Sequence, residues 1–461
     1  EAKKKREAFL KRLKELEKPI IKIPEEITNN NLAGLYMLTQ SKFLDSKNKL
    51  NLILSTPNLY KYFSGKLSKL DDMTPNMTIL GEDYQYKFVR TNNRGEFSVS
   101  RIDHAPELWE AIADATLVNP STYYLKTTPY IVENGTTGLG ELKGNDRFFT
   151  VTGNGVKKVI DGNNSPGVTV NRGQTFNLLD VDMTNFGKTI EFKPKRVQPI
   201  FNHYSLGGAI QNSGTTEITG NFKNNFTKAI GTLGGGFSSH KLYSNAFGGA
   251  VYNNRDIKSL TGDFENNYAS ASAATSFANY SFSKAFGGAV YNEGRIDKLT
   301  GNFINNYVTA YQRIGQNEAK GGAIYNTGFI NILALDKDIQ FRGNYIANSS
   351  SAQGGAIFNT GTIGLYADGE HNITFVGGEE PNKRDIDGIF NTGTLNINGD
   401  ETNIFGGTVN LYKVDGSGTT NIYGGEVNAA NNFKQNNLNY KNTKSEKGLL
   451  ITSNQLDNKI I

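Results

Sequence analysis

From about residue 120 to residue 430 the chain alternates short apolar-rich stretches with turns of Gly and Asn. Phe148-Phe149-Thr150-Val151 precedes Thr152-Gly153-Asn154-Gly155, and Val159-Ile160 precedes Asp161-Gly162-Asn163-Asn164. Val168-Thr169-Val170, Thr175-Phe176-Asn177-Leu178 and Asp180-Val181-Asp182-Met183 follow. Such runs, bounded by turn residues, read as β-strands. At four or five residues they are too short for an ordinary sandwich and suit the faces of a triangular coil. Gly and Asn supply the left-handed backbone that the corners of such a coil require.

A repeat then sets in. Gly207-Gly208-Ala209-Ile210-Gln211-Asn212 returns at Gly248-Gly249-Ala250-Val251-Tyr252-Asn253 and at Gly287-Gly288-Ala289-Val290-Tyr291-Asn292. Two more copies are Gly321-Gly322-Ala323-Ile324-Tyr325-Asn326 and Gly354-Gly355-Ala356-Ile357-Phe358-Asn359, and Asp387-Gly388-Ile389-Phe390-Asn391 is a decayed sixth. The closing Asn residues are 41, 39, 34, 33 and 32 apart. Between copies lie Phe222-Lys223-Asn224-Asn225, Phe264-Glu265-Asn266-Asn267 and Phe303-Ile304-Asn305-Asn306, while Phe341-Arg342-Gly343-Asn344 keeps the Phe and the last Asn. A unit this short cannot bury an apolar face alone, but stacked units can. The expectation is a column of Ala and Ile/Val, a column of Phe, glycines at corners and Asn amides bonded along the stack. Two units of roughly 16–20 residues per period give some 15 coils and a rod of about 70 Å. Residues 227–246 and 268–285, rich in Ser, Ala, Thr and Asn, read as loop extensions, either binding loops or tolerated length.

The predicted fold is all-β: a single-stranded right-handed parallel β-helix, or solenoid, over residues 105–430, with an N-terminal mixed cap region and a short helical extension. Residues 1–22 form the extension. Phe9, Leu10, Leu13 and Leu16 share one face of a basic helix that Pro19 ends, and a solvated extension is favoured over a membrane-surface or partner-binding helix. Residues 23–104 show no steady period, although Leu50-Asn51-Leu52-Ile53-Leu54 and Tyr86-Lys87-Phe88-Val89 are strand-like. Pro106 to Ala115, through Leu108, Trp109, Ile112 and Ala113, has the spacing of a helix that could cap the first coil. Residues 431–461 read as a polar C-terminal tail.

Composition narrows the function. The 461 residues include no Cys, which removes disulfides and thiolate metal sites. The net charge of +5 sits in residues 1–22, with nine Lys/Arg against four Glu, and the other 439 residues are neutral. A nucleic-acid-binding body is therefore not expected. No run approaches the roughly 20 apolar residues of a membrane helix, and the polar stretch opening at Glu1 does not read as a secretion leader, so an exported protein is expected to have had its leader removed.

The alternation of Gly-Gly-Ala-[Ile/Val] with Phe-x-x-Asn over residues 207–391 resembles the paired repeat of the polymorphic outer-membrane proteins. These are bacterial autotransporters whose passenger is a pectin-lyase-like β-helix. The resemblance implies a surface-exposed or secreted adhesin or antigen. It implies a protein or glycan partner on a host or neighbouring cell, and outer-membrane association through a barrel that this chain does not contain. A polysaccharide lyase or glycoside hydrolase on the same fold is the alternative, as is a structural fibre subunit.

Candidate chemistry is sparse. Asp180 and Asp182, at i and i+2 of one strand, are the best carboxylate pair for glycoside hydrolysis, but solvated side chains explain them as well. Glu379-Glu380 beside Lys383, Arg384 and Asp385 is the densest cluster a calcium-dependent lyase could use, and it also reads as a charged loop. His104, His203, His240 and His371 share no metal-ligand spacing. Phosphate-binding loops, nucleophile elbows and calcium nonapeptides are missing too. The chain is expected to be no enzyme, with no catalytic, cofactor or metal residue.

Overall fold

All six copies of the Gly-Gly-Ala motif pair in parallel, residue for residue. Ile210, Val251, Val290, Ile324, Ile357 and Ile389 lie one above another in a nine-stranded sheet. The structure is a computed structural model. It describes residues 128–441 apart from 133–137, 143–147, 154, 194–199, 234–240, 276–280, 313–315, 350, 381 and 401, together with strands at 67–68, 77–80, 85–90, 96–102, 121–125 and 451–452.

The chain divides into two units, residues 1–111 with 116–126, and 112–115 with 127–461. In the first, Gln85–Arg90 pairs antiparallel with Glu96–Ile102 and with Met77–Leu80, and Met77–Leu80 runs parallel to Ser121–Leu125. The helices expected at 1–18 and 106–115, and the stretch at 50–54, lie outside the described residues.

The second unit is a right-handed parallel β-helix. Each coil passes through three faces. The first carries the Gly-Gly-Ala motif and is called the Asn face. The second is a broad sheet with ten strands from Phe148–Thr152 to Asn437–Tyr440. The third carries the Phe-x-Asn-Asn motif and is the Phe face. Alternate side chains point inward, as in Phe176 and Leu178, Ile296 and Leu299, or Ile363 and Leu365, all buried. Phe222, Phe264, Phe303, Phe341 and Phe375 form one column, with ring centroids 5.0, 4.7, 4.8 and 4.3 Å apart.

The paired glycines answer two separate demands. The first of each pair (207, 248, 287, 321, 354) has φ between +57 and +72. The second lies so close to the next coil that a Cβ on Gly208, Gly249, Gly288 or Gly322 would sit 2.0–2.2 Å from a carbonyl oxygen there. The first Asn of Phe-x-Asn-Asn is also left-handed (Asn224, Asn266, Asn305, φ +53 to +57), so Gly343 can replace it at φ +67.

The second Asn of that motif and the Asn closing each Gly-Gly-Ala copy are buried and build two internal amide ladders. In the first ladder, Nδ2 of Asn212, Asn253, Asn292, Asn326 and Asn359 each donates to Oδ1 of the next coil's Asn at 2.7 Å, and Asn391 passes the last bond to Gln435. The second runs Asn225, Asn267, Asn306, Asn344 and ends on Asp387. A carboxylate has no N–H to hand on. Asp387 instead accepts from Asn344 N and Nδ2 on one oxygen and from Gly343 N and Gly377 N on the other. Burial pushes its pKa up against these four donors.

Three expectations change. The two motifs are not two coils; they are two faces of one coil, so each period is one coil. Residues 227–246 and 268–285 are not loops: they belong to strand pairs. Between the Phe face and the Asn face the chain leaves the coil and returns, giving 187–192 with 200–206, 226–233 with 241–247, 268–275 with 281–286, 307–312 with 316–320, and 345–347 with 351–353. These pairs stack into two five-stranded parallel sheets, a fin that shortens toward its C-terminal end. Without the fin, a period leaves about 20 residues of coil, and ten rungs at about 4.8 Å give about 45 Å instead of 70 Å. Finally, coils continue past residue 430: Asn437–Tyr440 pairs with Thr419–Ile422, and Gln435 is buried.

The fin has a core of its own. Ala229, Ala271 and Ala310 align on one sheet and face Ala246, Ala285 and Ala319 on the other, all buried. At its tip Phe201, Leu233, Leu242 and Ala273 pack together. Its C-terminal edge is closed by the 376–388 loop, where Arg384 N donates to Ile346 O at 2.9 Å and Ile346 N donates back at 3.1 Å.

Candidate functional site

Where the fin rises from the Asn face, two rows of rings meet. On the Asn face the variable position of the repeat gives Tyr252, Tyr291, Tyr325, Phe358 and Phe390, stacked at 4.9–5.5 Å. On the fin, Phe247 stacks on Tyr291 and Phe286 on Tyr325, at 4.7 and 4.6 Å. One coil further on, Lys320 holds that position, its ammonium 4.9 Å from the Phe358 ring centre. Tyr252 and Tyr291 both donate to Glu293, at 3.0 and 2.8 Å. Burial, then the Glu293 carboxylate, raise both phenols, and burial pushes Tyr325 up to about 12.

The fin ends at Ser351–Gln353, one coil before the row of rings does. Phe390 is therefore the last ring of its row, with Asp415 in register beneath it. Around it opens a recess of about 750 Å³, lined by Ala352, Gln353, Gly378, Glu379, Glu380, Lys383, Arg384, Asp385, Ile386, Phe390, Tyr412, Lys413 and Asp415. That volume is within the range of small-ligand sites. Gly377, at φ +74, makes room for the Tyr412 ring, which a Cβ there would strike at 2.0 Å.

Much of the recess wall is already committed. Lys383 pairs with Glu380 at 2.6 Å and lies over the Tyr345 ring. Asp385 accepts from Gly354 N and Gly355 N and holds Lys413 at 3.1 Å. Arg384 Nη1 donates to Ser349 O. The Asp415 carboxylate accepts from the Gly416 N–H next to it, and its carbonyl accepts from Gln435 Nε2. The cluster 379–385 thus does two things: it closes the edge of the fin and forms one side of this recess.

The other sequence candidates are not brought together. Asp180 is a corner residue at φ +60 between strands Thr175–Leu179 and Val181–Thr184, and its carboxylate accepts Gly155 N at 2.8 Å. Asp182 accepts Asn221 N at 2.7 Å and faces Lys157. The left-handed corner interrupts the strand alternation that was expected to place both on one face. His203 is buried in the fin, stacked on Phe192 at 5.2 Å, and burial lowers its pKa to about 4. His371 contacts Asp368 at 2.8 Å. His104 and His240 lie outside the described residues. Among the described residues no three His, Asp or Glu side chains are grouped to hold a metal ion.

The recess was not visible in the sequence as a site. Its lining comes from four separate stretches, and only the charged cluster stood out. The signal that could have found it is the column position of Phe390, the last aromatic at the variable place of the repeat. Compared with known proteins, the chain matches no family model, no curated protein and no solved structure.

Proposed function

We propose that this chain is a β-helical attachment protein displayed at a bacterial cell surface, and that the recess at the foot of the fin receives a sugar unit of a glycan on a partner cell. The observation that carries the reading is Phe390. It ends a row of stacked rings inside a recess whose rim mixes Tyr412 with Glu379, Arg384, Lys413 and Asp415. An aromatic face packs against the C–H face of a sugar ring, and mixed donors and acceptors suit its hydroxyls. Export as an autotransporter passenger belongs to the same reading and rests on the paired repeat.

Glycan-array binding of the full chain tests it. Binding to a defined glycan set should fall at least ten-fold in Phe390→Ala, with unchanged circular dichroism. Full binding in that variant rejects the recess as the site. One observation favours a second reading, a polysaccharide-degrading enzyme: Glu379 and Asp415 would also face a bound sugar. Release of oligosaccharides from a polysaccharide, abolished in Glu379→Gln and Asp415→Asn, would replace attachment by catalysis.

A further inference from the structure

The turn that follows the Asn face is itself a repeat. It reads Asn-x-Gly at 212–214, 292–294, 326–328, 359–361 and 391–393. Glycine is needed there. A Cβ on Gly214, Gly294, Gly328, Gly361 or Gly393 would lie 2.0–2.3 Å from a backbone oxygen of the preceding coil.

One turn breaks the rule. Asn253 aligns with Asn292 and Asp256 with Arg295, so Arg255 stands where the other turns have glycine. The strand that follows has one residue more than its neighbour on the preceding coil, with Thr216 opposite Ile257 but Glu217 opposite Ser259, and the strand after Gly294 shares that extra residue. At this turn the surface opens into a recess of about 300 Å³, and Arg172, two coils earlier, lines its other end. Between the two arginines lie Thr175, Ser213 and Thr215. Asp256 is the only carboxylate among the lining residues.

Both arginines are exposed, and neither has a carboxylate partner or a side-chain hydrogen bond among the described residues. Arg295, on the next coil, is by contrast paired with Asp297. A repeat that departs from its own steric rule at one turn departs there at a local cost, and such departures concentrate at functional positions. Guanidinium forks match carboxylate and sulfate oxygens, and hydroxyls between them add donors. Two rungs set the arginine backbones about 9.6 Å apart along the stack, so one extended polyanion can engage both.

We propose that the Arg172–Ser213–Arg255 recess binds an acidic polysaccharide, through a carboxylate or sulfate group held by the two arginines. The site is separate from the recess at Phe390 and does not depend on the attachment reading.

The experiment is fluorescence anisotropy on the full chain. The probes are labelled hexasaccharides of polygalacturonate and of heparin, with a neutral dextran oligosaccharide and an oligonucleotide of equal charge as comparisons. Saturable, salt-sensitive binding to at least one acidic hexasaccharide is expected, with none to dextran. Arg172→Ala and Arg255→Ala should each weaken it at least ten-fold. Arg255→Ala keeps the Cβ and with it the local backbone. Arg255→Gly restores the repeat and should lose binding without lowering the unfolding midpoint. Phe390→Ala should bind as wild type, which separates this site from the other recess. No binding to either hexasaccharide, undiminished binding in both Arg255 variants, or equal affinity for the oligonucleotide overturns the proposal.

Discussion

At the scale of single residues, the buried asparagines do what no apolar side chain could. Asn292 lies fully buried, donates to Asn326 Oδ1 and Gly294 O, and accepts from Asn253. Asn292→Ala would strand a donor above and an acceptor below in a dry interior. The expected loss is about 2–4 kcal/mol by urea denaturation, since each orphaned group costs about 1–3 kcal/mol. A loss below about 0.5 kcal/mol would mean that the ladder merely tolerates polarity. His203 is the opposite case: a buried ring in an edge strand of the fin, with neither nitrogen hydrogen-bonded within the described protein. Its folded pKa, lowered from 6.5 to about 4, favours the neutral ring. The native state therefore binds fewer protons than the unfolded chain in this window. Stability is complete above pH 6.5 and declines as pH falls toward 4. The gap corresponds to at most about 3 kcal/mol, which partial solvation at the edge trims to roughly 1–2 kcal/mol. His203→Leu should flatten the fall in unfolding free energy between pH 7 and pH 4.5 by that amount. An unchanged pH profile in the variant would place the titration elsewhere.

At the scale of elements, the coil and the fin are stabilised differently, and they were legible to different degrees. The coil buries Ile, Val and Phe at fixed places, so its columns could be read from the spacing of Gly-Gly-Ala-[Ile/Val] and Phe-x-x-Asn. The fin buries alanine. Ala269, Ala271 and Ala273 alternate with Ser270 and Ser272 in a pattern of period two, yet Ala-Ser runs carry so little hydrophobic contrast that they resemble a flexible connection. What makes them a core is the facing sheet, whose residues come from about 15 positions further on and cannot be matched by local pattern. The Asp180–Asp182 pair misled for a related reason. A left-handed corner residue is invisible in a period-two reading unless it is Gly or Asn. Small residues also let the two fin sheets approach closely, and this predicts an asymmetry between fin and coil. Ala271→Leu should cost about 1–3 kcal/mol through overpacking, whereas Ile324→Leu in the coil should cost less than about 1.5 kcal/mol. Thermal melts of the two variants compare them directly. Equal, small shifts would show the fin core to be loose enough to accept a larger side chain.

At the scale of the whole second unit, stability should be a sum over coils and the interfaces between them, because each coil contacts mainly its neighbours in the stack. A coil is then a unit that can be removed, provided that the cut respects its period. Deleting residues 327–359 joins Asn326 to Thr360 and keeps the Asn-Thr-Gly turn. The registers predict what meets across the gap: Asn326 would bond Asn391, Phe303 would stack on Phe375, and Asn306 would meet Asp387, which still ends its ladder. The shortest fin pair, 345–347 with 351–353, is lost with that coil. The 376–388 loop can then close the next rung up. The shortened chain should fold, unfold in one transition and lose about 5 Å of height by small-angle scattering. Deleting residues 327–350 joins the Asn-face strand Ile324–Asn326 directly to the fin strand Ser351–Gln353 and leaves that coil without its broad-sheet and Phe-face strands, so it should give a chain without cooperative melting. If both deletions prove equally damaging, the coils are not equivalent units, and the periodicity of the sequence reflects something other than stacking.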